Sequence, residues 1–345
     1  MTEIVTKGRA GEQLYAVLQE KASEVYGSGS TVQNLTKMSA GASRETWSFD
    51  VIDGDGTTVP LILKRDPVVY DSDGSIVREK KGTGVSRTTE GQLVELGGKA
   101  GVPVPDVPFY LEENDHTTEG FIMLRLEGET LGRRILREDI YADARTKLAY
   151  QCGHAAACVH GIPIEDVPEL SSMNVSELLN NLGDQLSSVD HPYPGFEYGL
   201  RWLGERHDLA GNRHTLVHGD FRNGNIIVGP DGLRALLDWE IAYFGNPMSD
   251  LGWICVPSWR YGHMNKPVGG FGEIEDLLAG YEAGGGEDAS AEAVHYWSVF
   301  GALRWGVMCV GMAFTHINGP HPSFEKAAIG RRTAETEYDL LRLVD

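Results

Sequence analysis

The residues best suited to chemistry lie around one short hairpin. In residues 216–240, LVHGDFRNGNIIVGPDGLRALLDWE, two apolar runs flank the sequence GPDG, which is a strong turn signal. His218, Asp220 and Asn225 precede the hairpin, and Asp238 follows it. The pattern therefore predicts that these four polar side chains gather on one side of a hairpin.

Carboxylate and amide oxygens in this arrangement suit a hard divalent cation. Mg²⁺ needs only one or two protein carboxylates, because phosphates and water complete its octahedral shell. Asp220 would then be free to accept or orient the proton of an attacking hydroxyl while the metal screens the phosphate charge. Singly, such residues are typical of turns and caps. Together they favour phosphoryl transfer.

The spacing His218-x-Asp220-xxxx-Asn225, followed by Asp238, resembles the catalytic loop and metal-binding Asp of the aminoglycoside phosphotransferase and choline kinase-like family. HGDFRNGNIIV, LLDWE and GNPMSDLGW are especially similar to the kinase-like domains fused to acyl-CoA dehydrogenases. The resemblance extends in order over residues 30–315.

This resemblance implies an α+β protein-kinase-like fold with two lobes. The expected N-terminal lobe, residues 1–127, is small and mostly β, with a leading helix, and binds the nucleotide. The expected C-terminal lobe, residues 128–345, is larger and mostly helical, and carries catalysis and acceptor binding.

The resemblance also implies roles for individual residues. Asp220 resembles the catalytic base, and Asn225 and Asp238 resemble the Mg²⁺ ligands. His218 resembles a structural support of the catalytic loop, and Asp250 in NPMSDLGW matches an Asp that braces the same loop.

A kinase-like site further requires a Lys on a strand that reaches the phosphates and a Glu on the next helix that holds it. Lys64 in PLILKRDP and Glu90 in SRTTEGQLVEL occupy these places. Arg65 is the competing cation, but strand alternation puts it on the opposite face, so only one of the two should point inward. The resemblance favours Lys64.

Two further segments are nucleotide-binding candidates by resemblance. SAGASRET resembles the family's nucleotide-covering loop, where small residues let backbone N–H groups approach phosphates. Its candidate residues are Ser39, Gly41 and Ser43. FIMLRLEG resembles the hinge whose backbone binds the purine edge, with candidates Met123, Leu124 and Leu126.

Aromatic and basic residues after the catalytic loop are candidates for the acceptor pocket: Trp253, Trp259, Tyr261 and Arg304. Aromatic residues at helical spacing are also typical of a core, so both interpretations stay open here.

Periodicity predicts the elements that position these residues. Helices are expected over 11–26, over SRTTEGQLVELGGKAG with Ser86 or Thr88 as the cap and glycines at the end, and over 139–160. Strands are expected around residues 31–51, 57–67 and 101–131, and a mobile loop over 68–86. Later helices are expected over 175–187, 196–208, 273–283, 291–312 and 323–343.

Charge and composition narrow the class of protein. Thirty Lys and Arg against 50 Asp and Glu give a net charge of −20, which disfavours nucleic acid or an anionic membrane as the main partner. The N-terminus has no apolar signal region, and Arg304 interrupts the most apolar stretch, 293–315. We expect a cytoplasmic protein.

The sequence thus predicts an ATP- and Mg²⁺-dependent kinase acting on a hydroxyl of a small molecule such as an aminoglycoside, amino alcohol, sugar or hydroxyacyl thioester. A nucleotide-binding module without turnover is the alternative, although it would not need the base Asp220. A protein kinase is disfavoured by the absent GxGxxG and APE motifs. The oligomeric state stays open.

Overall fold

The computed structural model describes residues 9–38, 44–70, 76–77, 84–114, 116–319 and 322–345, which fall into two compact units. The first unit comprises Met1–Lys99, Pro103–Glu127 and Asp238–Ile241. The second comprises Ala100–Val102, Gly128–Leu237 and Ala242–Asp345. Residues 238–241 belong to the first unit, where the Val85 N–H donates to Glu240 O over 2.9 Å.

Strands dominate the first unit. They are β1 (Thr31–Lys37), β2 (Glu45–Ile52), β3 (Thr58–Arg65), β4 (Val69–Tyr70), β5 (Ile76–Val77), β6 (Phe109–Leu111) and β7 (Gly120–Leu124). Five form an antiparallel sheet in the order β1-β2-β3-β7-β6. Two helices accompany them, α1 (Arg9–Tyr26) and α2 (Arg87–Lys99).

Alternation along β3 sets the packing of this sheet. Leu61 and Leu63 are fully buried in a core shared with Leu14 and Leu18 of α1. Burial of each such side chain stabilises the fold by roughly 1.5–3 kcal/mol. Ile62 belongs to a separate buried cluster. The period of two therefore directs Lys64 to the same face as Ile62, away from the α1 core.

One local prediction for this unit is wrong. The segment 68–86 is not simply a loop, because β4 and β5 within it pair antiparallel. The predicted end of α2 at glycines is confirmed, because the helix ends at Lys99 and Gly101 follows in the left-handed region at φ 90°. Gly98 within the helix serves close packing, since a Cβ there would come within 3.2 Å of Val104 Cγ2. Ser86 does cap the helix, accepting from the Thr89 N–H over 3.1 Å.

Helices dominate the second unit. They are α3 (Gly132–Arg137), α4 (Ala142–His160), α5 (Val175–Ser187), α6 (Pro194–Glu205), α7 (Met248–Ile254), α8 (Ile274–Ala283), α9 (Ala291–Asn318), α10 (Phe324–Gly330) and α11 (Thr333–Val344). Its short strands are β8 (Thr215–Val217), β9 (Ile226–Gly229), β10 (Gly232–Leu236) and β11 (Tyr243–Gly245). The predicted hairpin is β9–β10, and β8 pairs with β11. The predicted α+β class is confirmed.

The single helix predicted over 323–343 is wrong, because α10 and α11 are separate. Gly330 ends α10 in close contact with α9, and a Cβ there would lie 2.7–2.9 Å from Ala313 atoms. The chain turns at this contact before α11 begins.

Helix α9 is the longest in the described part of the chain, with 28 residues. By length and composition alone it could cross a membrane, and 56% of its most apolar stretch is buried within the protein. It packs against α6, α7, α10 and α11, which is the environment of a core helix.

Candidate functional site

In the first unit, Lys64 lies between two carboxylates. Its Nζ donates to Glu90 Oε1 over 2.9 Å and also to Asp238 Oδ1. Burial alone would lower the pKa of Lys64, but the neighbouring charges of Asp238 and Glu90 hold it above its ordinary value. The ammonium is therefore a fixed positive charge near neutral pH.

Three further charged residues, which the sequence patterns did not single out, surround Glu90. Arg87 Nη1 donates to Glu90 Oε2, one helical turn earlier on α2. Arg44 Nη1 lies 2.9 Å from Glu240 Oε2 and 3.6 Å from Glu90 Oε2. Glu240 lies two positions after Asp238 in the sequence, and this proximity was the one sequence signal for its role in the site. We call Lys64, Arg44, Arg87, Glu90, Asp238 and Glu240 the ionic cluster.

Asp238 combines a special backbone with a reachable carboxylate. Its φ of 62° is in the left-handed region, which Asp tolerates better than most residues. Its side chain is 41% exposed, whereas Glu90 is 1% exposed. Of the acidic pair that holds Lys64, Asp238 is thus the one that can offer oxygen to a ligand.

Arg65, the competing cation, lies on the opposite face but is not left in solvent. It is 1% exposed, donates to Glu45 Oε2 over 3.0 Å through Nε, and stacks over Trp47 at 5.7 Å. Alternation thus separates the two cations correctly, but the expectation that only one points inward is wrong.

In the second unit, His218 and Asp250 hold the backbone of residues 218–225, which resemble the family's catalytic loop and are called the catalytic loop below. His218 Nε2–H donates to Leu237 O over 3.0 Å, so its Nδ1 accepts from the Asp220 N–H over 3.2 Å. Asp250 accepts from the N–H groups of His218 and Gly219 over 2.8 and 2.9 Å. Gly219, at φ 82°, adopts the left-handed turn that this approach requires.

Asp250 is itself fixed by a buried histidine that the sequence patterns missed. His160 Nε2 lies 3.1 Å from Asp250 Oδ2, and its Nδ1 lies 3.0 Å from the Tyr281 hydroxyl. Burial alone would raise the pKa of Asp250, but the contacts of its carboxylate with His160 and His218 hold it below its ordinary value. The buried carboxylate therefore stays ionised.

The carboxylate of Asp220 accepts three side-chain hydrogen bonds. Oδ1 accepts from Arg222 Nε over 2.9 Å and from Trp253 Nε1 over 2.7 Å. Oδ2 accepts from Asn225 Nδ2 over 2.5 Å. The catalytic loop thus holds the candidate base in one orientation.

Asn225 is oriented by its amide nitrogen, which also donates to Asp220 O over 3.0 Å. Within the described residues, its side-chain oxygen accepts no hydrogen bond. The Leu237 N–H donates to Asn225 O over 2.8 Å, and Asp238 follows Leu237 by one peptide bond. Among the described residues no group of three or more His, Cys, Asp or Glu could hold a metal. Asp238 carries a carboxylate and Asn225 an amide, and oxygens of these kinds suit Mg²⁺.

The predicted nucleotide-binding segments are described only in part. Ser39, Gly41 and Ser43 lie outside the described residues. In the predicted hinge, Met123 is 8% exposed, and the Leu124 N–H already donates to Asp106 O over 2.9 Å. Leu126 is half-buried beyond the end of β7. The Leu124 N–H is thus already used within the protein, and purine binding by this segment stays a prediction.

The four acceptor candidates divide into buried and partly exposed residues. Trp253 and Trp259 are 3% and 5% exposed, and their rings lie 5.4 Å apart. Tyr261 and Arg304 are partly exposed. Arg304 Nη1 donates to Gly219 O over 3.0 Å, and its guanidinium lies 4.6 Å from the Trp253 ring. Trp253 and Arg304 therefore contact the catalytic loop directly.

The chain is similar in sequence to known proteins. The sequence profile of the phosphotransferase enzyme family matches residues 35–292. Acyl-CoA dehydrogenase family member 11 of Pongo abelii is 24% identical over 260 residues, which cover 70% of this chain and 33% of that protein. The chain thus spans about a third of the length of this relative.

Solved structures share the fold at low sequence identity. A choline/ethanolamine kinase family protein from Mesorhizobium loti has a TM-score of 0.59 and 18% identity, covering 97% of this chain and 99% of that one. Aminoglycoside phosphotransferase APH(4)-Ia, in a ternary complex with ADP and hygromycin B, has a TM-score of 0.61 and 15% identity, covering 95% and 97%. The protein-kinase-like fold is confirmed, and because the family profile spans most of its length, this chain belongs to the phosphotransferase enzyme family.

Proposed function

We propose that this protein is an ATP- and Mg²⁺-dependent phosphotransferase that moves the γ-phosphoryl group to a hydroxyl of a small molecule. The observation that carries the proposal is the buried ammonium of Lys64, anchored by Glu90 and Asp238. A cation fixed in advance can stabilise phosphate charge without reorganising during the reaction.

The nucleotide is expected to meet the ionic cluster. Lys64 and Arg44 are its less buried cations, with side chains 13% and 20% exposed. APH(4)-Ia has been solved with ADP and with AMP-PNP, and a spectinomycin phosphotransferase with ADP and spectinomycin. These complexes support an adenine nucleotide for the present chain.

The oxygen donors of Asp238 and Asn225, which match the family's metal ligands, fit Mg²⁺. The ion, when bound, would screen the charge of the triphosphate. Transfer would form a bond between the acceptor oxygen and the γ-phosphorus as the β–γ bridging bond breaks and ADP leaves. Asp220 would orient the hydroxyl and take its proton.

Mass spectrometry of reactions with Mg-ATP and a panel of hydroxyl compounds tests the proposal. The panel spans aminoglycosides, amino alcohols, sugars and hydroxyacyl-CoAs, because acceptor specificity varies independently of fold. We expect a phosphorylated acceptor and equal ADP from the wild type. Asp220→Asn should lower the rate roughly 10²- to 10⁴-fold, and Asp238→Ala should abolish transfer without unfolding the protein.

Asp231→Asn is the matched control, since this exposed residue lies in the turn of the β9–β10 hairpin and contacts Arg234. It should transfer phosphate at the wild-type rate. Equal turnover by Asp238→Ala would overturn the metal assignment. Absence of both phosphorylated product and ADP across the panel would favour the nucleotide-binding module instead.

A further inference from the structure

The two oxygens of Asp220 are not equivalent. An ionised carboxylate offers about two hydrogen-bonding directions on each oxygen. On Oδ1 both are used, by Arg222 Nε and Trp253 Nε1. On Oδ2 only Asn225 Nδ2 donates within the described residues. An acceptor hydroxyl can therefore donate to Oδ2 without displacing a protein donor.

The indole of Trp253 is the more rigid of the two donors to Oδ1. Its side chain is almost fully buried, whereas that of Arg222 is 26% exposed. Its ring is enclosed by the Trp259 ring at 5.4 Å, by the Arg304 guanidinium at 4.6 Å, and by Gly301 of α9, where a Cβ would come within 3.1 Å of it. Close packing on several sides leaves the indole N–H one direction.

The same short helix also holds the loop backbone. Asp250 and Trp253 are three residues apart on α7, so their side chains share one face of the helix. Asp250 accepts from the N–H groups of His218 and Gly219, and Trp253 donates to the next residue, Asp220. Helix α7 thus fixes both the backbone and the side chain at the candidate base.

We infer that Trp253 is a positioning residue for phosphoryl transfer, which holds Asp220 Oδ1 through its indole N–H and leaves Oδ2 to the acceptor hydroxyl. This inference rests on the proposed function. It differs from both interpretations that the sequence left open for Trp253, a residue of the acceptor pocket and a residue of the core.

Trp253→Phe tests the inference because it keeps an aromatic ring and removes only the N–H donor and part of the ring area. Trp259→Phe is the matched control. Trp259 is equally buried and is also stacked by an arginine, Arg222 at 4.9 Å, but its Nε1 has no hydrogen-bond partner in the described part of the chain. The pair of variants therefore separates the loss of the donor from the loss of ring volume.

Steady-state kinetics with an acceptor identified from the panel of hydroxyl compounds give the first readout. Trp253→Phe should lower kcat roughly 10- to 100-fold, because a slightly misplaced base costs rate rather than binding. The KM values for ATP and for the acceptor should stay within about twofold, since neither ligand loses a contact. Trp259→Phe should show a smaller fall in kcat than Trp253→Phe.

Indole N–H resonances in a ¹⁵N–¹H spectrum give a second readout that needs no acceptor. Asp220→Ala should shift the Trp253 N–H peak and speed its exchange with water, because the carboxylate acceptor is gone. The Trp259 peak should keep its exchange rate. This comparison uses variants that retain Trp253, so it holds even where Trp253→Phe fails to fold.

The outcomes separate the inference from the proposed function. An inactive wild type would contradict the proposed function, while the spectrum would still report on the contact between Trp253 and Asp220. With an active wild type and an inactive Asp220→Asn, unchanged kcat in Trp253→Phe would overturn the positioning role. A rise in acceptor KM at constant kcat would return Trp253 to the acceptor surface. An unchanged Trp253 N–H peak in Asp220→Ala would show that the indole does not donate to Asp220.

Discussion

The ionic cluster of the first unit and the catalytic loop of the second hold their carboxylates in different ways. In the cluster, Glu90 and Asp238 contact the cations Lys64 and Arg87. In the loop and its supports, the donors are mainly neutral. Asp250 accepts from backbone N–H groups, and Asp220 accepts from an indole, an amide and one arginine.

The difference matches two chemical tasks. The ion pairs of the cluster hold its cations in place before a polyphosphate arrives, so their positive charge can stabilise phosphate without reorganising. Donors at fixed positions hold the carboxylate of Asp220 in one orientation, which suits a base. The first region thus holds positive charge in place, and the second holds the carboxylate of the candidate base in place.

Among the tests of this comparison, the largest effect is expected from the loss of the Lys64 ammonium. Lys64→Met should lower kcat roughly 10²- to 10³-fold, as expected for the loss of one preset electrostatic group. Lys37→Met is the control, because Lys37 lies on the same sheet but is 51% exposed and paired with Glu45. Initial-rate measurements with saturating ATP check both, and near-equal kcat for the two variants would contradict the role of Lys64.

Loss of the hydrogen bonds that Asp250 accepts should lower the free energy of unfolding. Asp250→Asn should lower the free energy of unfolding by about 1.5–3 kcal/mol, because hydrogen bonds to a buried charged acceptor are lost. Urea denaturation at pH 7 measures this change.

The same variant has a pH signature. The pKa of Asp250 is lowered in the folded protein from an ordinary value of 3.8, so its contribution to stability is present above that value and is lost as pH falls through the folded pKa. The difference between wild type and Asp250→Asn should therefore shrink below about pH 4. A difference that grows on acidification would contradict the assignment.

The smallest effect is expected at the edge of the ionic cluster. Arg44→Gln should raise the KM for ATP about two- to fivefold, because a partly exposed charge contributes at most about 1 kcal/mol. Added KCl should reduce the difference from wild type, since salt screens exposed charges. Lys21→Gln on α1, which loses a similar charge from an exposed pair, is the control. An Arg44→Gln effect that is independent of salt would indicate a structural role instead.

Sequence alone was sufficient for features that depend on neighbours along the chain. Alternation on β3 separated Lys64 from Arg65, and GPDG located the hairpin between Asn225 and Asp238. Helix α5 was predicted at its observed bounds of Val175–Ser187. Hydrophobic periodicity and turn preferences act over a few residues, so they can be recognised in the amino-acid sequence itself.

Tertiary structure decided the contacts between residues distant in the chain. Lys64 meets Asp238 across 174 positions, His160 meets Asp250 across 90, and Trp253 meets Asp220 across 33. A buried tryptophan or histidine has the same local sequence pattern whether it fills a core or orients a carboxylate. The sequence determined which residues could do the chemistry. The packing of separate elements determined which of these residues hold each other in place. The reason is that hydrogen-bond partners depend on distance in space rather than on distance along the chain.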